Sequence, residues 1–234
     1  VSGNISIISS NAVAYANGVS YWMGKDKFYI YDGNVRALKC DLLRYVFNDI
    51  NWQQTGQIFA GTTEEYNEIW WFYCSEDSAT VDRYIVYNYQ DSIWYNGTLA
   101  RTAWLDSGMR DFPLAATYTY NLVNHEEGVD DNETGTSTAI NASITSGQFD
   151  TEDGHKFTLI SRIIPDMTFD GSTADSPSAT ITLYPMQNSG SGYNDPLSEG
   201  GNSAGAITRS ATVPVEKYTD QIDVRVRGRQ IAFK

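Results

Sequence analysis

The chain has 234 residues, which is enough for one large all-β domain or for two smaller ones. Its 29 acidic and 16 basic residues give a net charge of −13, which argues against a surface that wraps nucleic acid by neutralising phosphates. Aromatic residues make up 13% of the chain and 16 of them are Tyr, so the composition favours strands over helices and predicts an all-β fold.

The first predicted unit is a series of short strands separated by turn signals. The strands are predicted at 13–16, 19–23, 27–31 and 35–38. The break Asn17-Gly18 is a strong hairpin signal because both residue types accept a positive φ, and Asp32-Gly33 predicts a second tight turn. A four-stranded antiparallel meander of this kind is the structure of a propeller blade.

Residues 41–50 carry the only convincing helical spacing in the chain. Apolar residues fall at 42, 43, 46, 47 and 50, and Asp41 stands where a capping residue would. We expect a short helix here, capped by Asp41, that covers the connection between two blades.

A second unit is predicted between Asn67 and Trp104. Its strands are predicted at 68–74, 83–89, 93–95 and 98–104. The first of them is apolar without alternation, so we expect protein on both of its faces. Asn96-Gly97 predicts a hairpin between the last two strands.

The two units form an internal repeat. Residues 27–32 align with residues 83–88, and in both units this segment follows an aromatic strand and precedes a tight turn. The spacing is close to the blade period of about 40–50 residues. A weaker third copy is predicted at 114–125. Three units are few for a closed propeller of about 4–8 blades, so we expect residues 1–125 to form part of one.

The composition changes after residue 125. Residues 126–139 are acidic and polar, which predicts a linker or loop. Further strands are predicted at 140–144, 148–150, 156–164, 179–186 and 221–233. Because two of them alternate apolar and polar residues, we expect a β-sandwich-like part over 140–234, interrupted by a long Gly/Ser-rich loop at 187–206.

Several of these segments resemble one known family. The segments are Glu68–Tyr73, Arg83–Tyr89, Trp94–Trp104 and Arg225–Gln230. They are similar to tail proteins of short-tailed bacteriophages, the nozzle or tail tubular protein B-like group. The resemblance spans most of the chain, and its motifs are structural rather than catalytic.

The resemblance implies a structural virion protein of the phage tail. In that family the protein forms a ring, often of six copies, at the distal end of the tail, and the ring encloses the channel through which genomic DNA leaves. The implied partners are further copies of the chain, tail adaptor and portal-side proteins, tail fibres or spikes, and DNA in transit without specific binding. Family members are usually longer, so the chain would be either a fragment or a shortened relative.

Two sets of residues are candidates for contacts with partners. Arg225, Arg227 and Arg229 alternate, so they are expected to share one strand face, which would pair with carboxylates of a neighbouring subunit in a ring. Solvation of that face is the competing interpretation. Trp94 and Tyr95 are candidates for an aromatic platform, with core packing as the competing interpretation. Such a platform supports the alternative function, a carbohydrate-binding β module that recognises host-surface glycans.

The sequence offers little for catalysis or metal binding. His125 and the acidic residues that follow it are the densest group of potential ligands, but they lack the spacing of an EF-hand loop, and we expect a solvated acidic turn. The only other histidine, His155, lies 30 positions away, and no G-x-S-x-G motif occurs. Glycan hydrolysis by paired carboxylates is a minority hypothesis. We therefore expect no catalytic site, no metal site and no cofactor.

Two further expectations concern the thiols and membranes. Cys40 and Cys74 are too few for a disulfide framework and are expected to pack as small buried hydrophobes, although a single bridge stays an alternative. No run of 18 apolar residues and no basic-plus-apolar leader is present, so neither a membrane span nor a signal peptide is predicted.

Overall fold

The computed structural model describes residues 5–108, 110–151, 155–172, 174–186 and 210–234. The chain divides into two compact units, residues 1–140 and residues 141–234. Most of the described regular structure is antiparallel β-sheet, and the first unit contains two four-stranded sheets. The prediction of an all-β fold with propeller-like units is confirmed.

The described residues of the first unit form thirteen strands and one short α-helix, α1 (Leu43–Asp49). The strands are β1 (Val13–Ala16), β2 (Val19–Met23), β3 (Phe28–Tyr31), β4 (Val35–Leu38), β5 (Phe59–Thr63), β6 (Glu68–Tyr73), β7 (Arg83–Asn88), β8 (Ile93–Thr98), β9 (Ala103–Leu105), β10 (Leu114–Ala116), β11 (Leu122–Asn124), β12 (Asp130–Asp131) and β13 (Thr138–Ala139). Two 3₁₀ helices, Trp52–Gln57 and Glu64–Tyr66, flank β5.

These strands form three sheets and a small hairpin. Sheet 1 has the order β1-β2-β3-β4, sheet 2 the order β5-β6-β7-β8, and sheet 3 the order β11-β10-β9, while β12 pairs only with β13. Sheet 1 is the meander predicted from the sequence. Its first turn has φ values of 49° at Asn17 and 78° at Gly18, the positive pair that a tight two-residue hairpin requires.

Sheet 2 differs from the prediction in its outermost strands. The hairpin predicted at Asn96-Gly97 is wrong, because both residues lie inside β8 and pair with Ile85 and Tyr84 of β7. A Cβ atom on Gly97 would lie 2.3 Å from the Tyr84 hydroxyl oxygen, so the glycine makes room for a tyrosine ring. The sheet also contains β5, which was not predicted. β5 is an edge strand that precedes the aromatic strand β6, whereas the predicted additional strand followed β8.

The repeat predicted from the sequence matches the strand positions of sheets 1 and 2. The aligned segments 27–32 and 83–88 contain β3 and β7, and each of these is the third strand of its sheet. The strands before them, β2 and β6, carry the aromatic pairs Tyr21-Trp22 and Trp70-Trp71. Equivalent strands of the two sheets therefore have equivalent neighbours.

The three sheets stack through aromatic cores. Between sheets 1 and 2, the Phe28 ring lies 4.9 Å from that of Trp71, and the Trp71 indole donates to the carbonyl of Ala12 at 3.1 Å. Between sheets 2 and 3, Trp70 and Trp104 stack with 5.2 Å between their ring centroids. Aromatic pairs of this kind add about 0.5–1.5 kcal/mol each to the effect of area burial.

Helix α1 lies where the sequence predicts it, but Asp41 does not cap it. The residue at the cap position is Leu42, and no side chain accepts a hydrogen bond from the first turn. Asp41 lies one position too early and forms an exposed ion pair with Lys39 at 3.5 Å. The helix is held by packing instead, since Val46 is fully buried against the core between sheets 1 and 2.

The second unit has two small antiparallel sheets. Its strands are β14 (Thr158–Ile163), β15 (Ser178–Met186), β16 (Ala211–Glu216), β17 (Ile222–Gly228) and β18 (Gln230–Phe233). β14 pairs with β17, and the second sheet has the order β16-β15-β18. Leu183, Val226 and Ile231 form the buried centre of a cluster to which both sheets contribute, which makes the unit sandwich-like.

Several strand predictions in the second unit need correction. Residues 140–144 are not a strand, and of residues 148–150 only Phe149 forms a bridge, with Ile231. The predicted strand 221–233 is interrupted at Arg229. β16 is a strand in addition to those predicted. Its Pro214 is tolerated because, among the described strands, β16 pairs with β15 alone and is an edge strand. The predicted loop 187–206 lies outside the described residues.

Candidate functional site

A cleft of the first unit runs along the first strands of its three sheets. β1, β5 and β9 lie side by side, and the backbone nitrogen of Ala60 donates to the carbonyl of Asn11 at 2.8 Å. The cleft, of about 670 Å³, opens beside these strands. This is where blades of a propeller surround a central channel.

The described residues that line this cleft carry no charge at neutral pH. Asn11, Phe59, Thr102 and Tyr118 contribute its polar and aromatic lining. The Tyr118 hydroxyl accepts a hydrogen bond from the backbone nitrogen of Val81 at 2.8 Å, so it ties sheet 3 to the loop before β7. The lining is suited to water or a neutral ligand, and it contains no carboxylate or imidazole for acid–base chemistry.

Glu68 is the most buried carboxylate of the described residues. It accepts hydrogen bonds from the Trp70 indole nitrogen at 3.0 Å and from the Tyr95 hydroxyl. Burial, together with the negative charge of Glu68, raises the pKa of Tyr95 above its usual value. Both carboxylate oxygens thus hold side chains of sheet 2 in place.

Trp94 and Tyr95, the predicted platform, do not form one surface. Successive residues of a strand point to opposite faces, and both lie in β8. Trp94 packs between Phe28 and Tyr87, with 4.7 Å from its ring centroid to each, and its indole nitrogen donates to the carbonyl of Lys39. Tyr95 lies on the other face, so the two rings are not available to one sugar.

A second group of charged side chains lies beside sheet 3. Arg101 donates from Nε to Nε2 of His125 at 2.9 Å, and its Nη1 lies 3.2 Å from Glu133 Oε2. The His125 ring packs on Trp104 with 4.7 Å between ring centroids. Burial, with the neighbouring guanidinium, lowers the pKa of His125 to about 4. His125 is therefore a neutral acceptor in a structural network that the sequence did not reveal, because its partners lie 24 and 8 positions away.

The predicted acidic turn after His125 is largely exposed, and it contains the hairpin β12–β13. Glu133 is the exception, since its second oxygen accepts from the Thr119 hydroxyl at 2.9 Å. Within the residues that the structure describes, no three His, Cys, Asp or Glu side chains lie together as a metal site would require.

Two carboxylates that could be candidates for glycan hydrolysis, Asp106 and Glu68, are bonded to side chains and backbone of their own unit. Asp106 accepts from the Thr62 hydroxyl at 2.8 Å and from the backbone nitrogen of Glu64 at 2.9 Å, so it joins β9 to the end of β5. Glu68 is bonded to two aromatic side chains as described above. Asp106 therefore connects sheets 2 and 3, and Glu68 holds side chains within sheet 2.

Neither cysteine is a reactive thiol. Both are free, and burial raises the pKa of Cys40 to about 12 and that of Cys74 to about 11. At neutral pH both are protonated and pack with apolar side chains, as the sequence predicts for small hydrophobes.

The three arginines of the predicted interface face lie in the second unit. Arg225 and Arg227 alternate with buried Val226 in β17 and are exposed, whereas Arg229 lies beyond the end of that strand. The guanidinium groups of Arg227 and Arg229 both lie over the Phe157 ring, at 4.9 and 5.4 Å from its centroid. Two of the three therefore contact an aromatic ring of their own unit.

Comparison with known proteins assigns no family. No family model matches the chain, and a search of curated protein sequences found no match. Among the described helices, none is long and apolar enough to cross a lipid bilayer.

Proposed function

We propose that the chain is a structural component of a short bacteriophage tail, part of a nozzle ring that encloses the path of DNA exit. The observation that carries the proposal is where the resembling segments lie. Three of the four segments form β6, β7 and β8 of sheet 2 and reach Trp104 in sheet 3, and the fourth lies at the end of β17 and the start of β18. The first three supply the aromatic cores on both faces of sheet 2, as expected for motifs with an architectural role.

The aromatic cores would give such a ring its rigidity. Trp71 and Phe72 are fully buried on opposite faces of β6, one toward sheet 1 and the other toward sheet 3. Close-packed protein interiors deform little, which suits a component that keeps a channel open. The net charge of −13 adds a repulsion that would keep DNA from adhering to the wall.

The polar groups support a structural role in the same way. Glu68, Asp106 and Glu133 each accept a hydrogen bond that links two different elements of the first unit. The glycan-binding alternative has less support. Of the two residues of the predicted platform, Trp94 packs against the core between sheets 1 and 2, and only Tyr95, on the opposite face of β8, is exposed.

The proposal is tested by imaging the native assembly of the purified chain at moderate salt, together with its mass. We expect a closed ring with a central opening wide enough for duplex DNA, and a mass that is a fixed multiple of 26.1 kDa. A DNA retention assay on the same sample should show no binding at physiological salt. An assembly without an opening, or tight DNA binding, would contradict the proposal.

A further inference from the structure

Sheet 1 has an outer face that points away from sheet 2, and no other sheet packs on this face among the described residues of the first unit. The strand register places eight side chains on this face. They are Val13, Tyr15, Ser20, Trp22, Tyr29, Tyr31, Val35 and Ala37. None of them is charged, in a chain in which 19% of the residues are charged.

Much of this face is exposed apolar surface. One part is covered by the chain itself: Trp22 and Tyr29 are buried, and the Trp22 indole donates to the carbonyl of Ser6 at 3.0 Å. The rest is open: Tyr15 is 64% exposed, Tyr31 47% and Val13 45%. A contiguous uncharged face of a sheet, made of tyrosine and β-branched residues, is typical of a surface that binds protein.

The internal repeat indicates what would cover it. In the alignment of segments 27–32 and 83–88, Tyr29 and Tyr31 correspond to Ile85 and Tyr87. Ile85 and Tyr87 lie on the face of sheet 2 that packs against sheet 1. The outer face of sheet 1 is therefore equivalent to a face that, one repeat later, receives the preceding sheet of the stack.

Sheet 3, at the other end of the stack of three sheets, has a second uncharged outer face. Trp104, Ala115 and Val123 share the face of sheet 3 on which Trp104 packs against sheet 2. The opposite face, the outer face of sheet 3, again carries no charge. It consists of Ala103, Leu105, Leu114, Ala116, Leu122 and Asn124. Leu105 is 58% exposed and Leu122 72%.

We propose that the outer face of sheet 3 of one copy docks on the outer face of sheet 1 of a second copy, head to tail. The contact continues the stacking order by which sheet 1 already packs on sheet 2 and sheet 2 on sheet 3. Because the two faces differ, the association is heterologous and must close on itself or extend further. The inference rests on the proposed function and assigns the surfaces through which copies meet.

The test uses one charge on each face of the full chain. Two variants, Tyr31→Asp and Tyr15→Asp, each place a charge on the outer face of sheet 1. A third variant, Leu122→Asp, places a charge on the outer face of sheet 3. Tyr218→Asp is the matched control, because Tyr218 is 87% exposed and lies in the second unit. Masses are measured by sedimentation velocity, and circular dichroism checks that each variant is folded.

We expect the wild type and Tyr218→Asp to assemble and each face variant alone to fall to the monomer mass of 26.1 kDa. A mixture of Tyr31→Asp and Leu122→Asp should form pairs, because each variant retains the face that the other lacks. If the outer face of sheet 1 paired with itself, Leu122→Asp would still dimerise and the inference would be overturned. A wild type that is monomeric at every soluble concentration would overturn it as well.

The outcomes separate this inference from the proposed function. If the wild type forms a ring with an open channel and the face variants leave its mass unchanged, the assigned faces are wrong and the proposed function stands. If the variants abolish an assembly that has no channel, the faces stand and the proposed function fails.

Discussion

The neutral state of His125 is imposed by its surroundings. The Arg101 side chain donates to its Nε2, which can accept only while that nitrogen is unprotonated. Because the pKa falls from 6.5 to about 4 on folding, the unfolded chain binds the proton more readily. The contribution to stability is therefore complete above the unfolded pKa and is lost as pH falls from 6.5 toward 4.

We expect His125→Gln to reduce this pH dependence, because glutamine keeps an acceptor for Arg101 and does not titrate. Between neutral pH and about pH 4.5, the wild type should lose about 1–3 kcal/mol more unfolding free energy than the variant. Urea titrations at both pH values measure the difference. Parallel losses in wild type and His125→Gln would contradict the prediction.

At Gly61 the backbone of sheet 2 lies close to a side chain of sheet 3. A Cβ atom there would lie 2.5 Å from Cδ1 of the Trp104 ring, and that ring is held by a hydrogen bond to the Thr62 carbonyl at 2.8 Å. We expect Gly61→Ala to lower the unfolding free energy by about 1–3 kcal/mol through overpacking. Denaturant titration followed by tryptophan fluorescence measures it.

Gly56→Ala is the matched control for that substitution. A Cβ atom at Gly56 meets no heavy atom within 4 Å, and its φ is not positive. Its effect should stay within about 0.5 kcal/mol. A Gly61→Ala variant as stable as Gly56→Ala would show that Trp104 does not limit the approach of the two sheets.

At the scale of elements, the two short helical segments differ in how they begin. The Asn51 side chain accepts from the backbone nitrogen of Gln53 at 3.0 Å and donates to the Ser78 carbonyl at 2.9 Å, whereas Asp41 does neither for α1. We expect Asn51→Ala to cost about 1–2 kcal/mol and Asp41→Ala no more than about 0.5 kcal/mol. Thermal unfolding of both variants compares them, and equal costs would be unexpected.

The strands were predictable from sequence where their turns depend on local backbone geometry, and they were not predictable where contacts with a neighbouring strand determine the structure. Sheet 1 was predicted with nearly correct bounds because Asn17-Gly18 acts only through local backbone geometry. The same dipeptide at Asn96-Gly97 does not form a turn. Its glycine instead leaves space for the Tyr84 side chain of the neighbouring strand, and no local sequence pattern encodes that contact. Strand β5 was missed for a similar reason, since Phe59–Thr63 contains alanine and glycine and becomes a strand only by pairing with β6.

The cleft could not be predicted from the sequence, because its lining comes from distant parts of the chain. Asn11, Phe59 and Thr102 are far apart in sequence and meet only because the first strands of three sheets lie side by side. Trp94 and Tyr95 show the opposite case. Their places on opposite faces followed from alternation once β8 was known to include both.

At the scale of the whole molecule, the tryptophans report on one unit only. All six lie in residues 1–140: Trp22, Trp52, Trp70, Trp71, Trp94 and Trp104. Because the second unit has a hydrophobic cluster of its own, we expect the two units to unfold in separate transitions. Denaturation followed by tryptophan fluorescence and by far-ultraviolet circular dichroism should then give non-coincident curves. Gly61→Ala should shift the fluorescence transition alone, and coincident curves would indicate a single cooperative unit.

Sheets 1 and 2 are each built from one uninterrupted stretch of chain, and this has a consequence for the order of folding. Every pairing in these sheets joins neighbours along the sequence, so little loop-closure entropy opposes it. In the second unit, Thr158 of β14 pairs with Gly228 of β17, across most of that unit. Since synthesis proceeds from the N-terminus, sheets 1 and 2 are able to form on the ribosome before the last strands of the second unit exist.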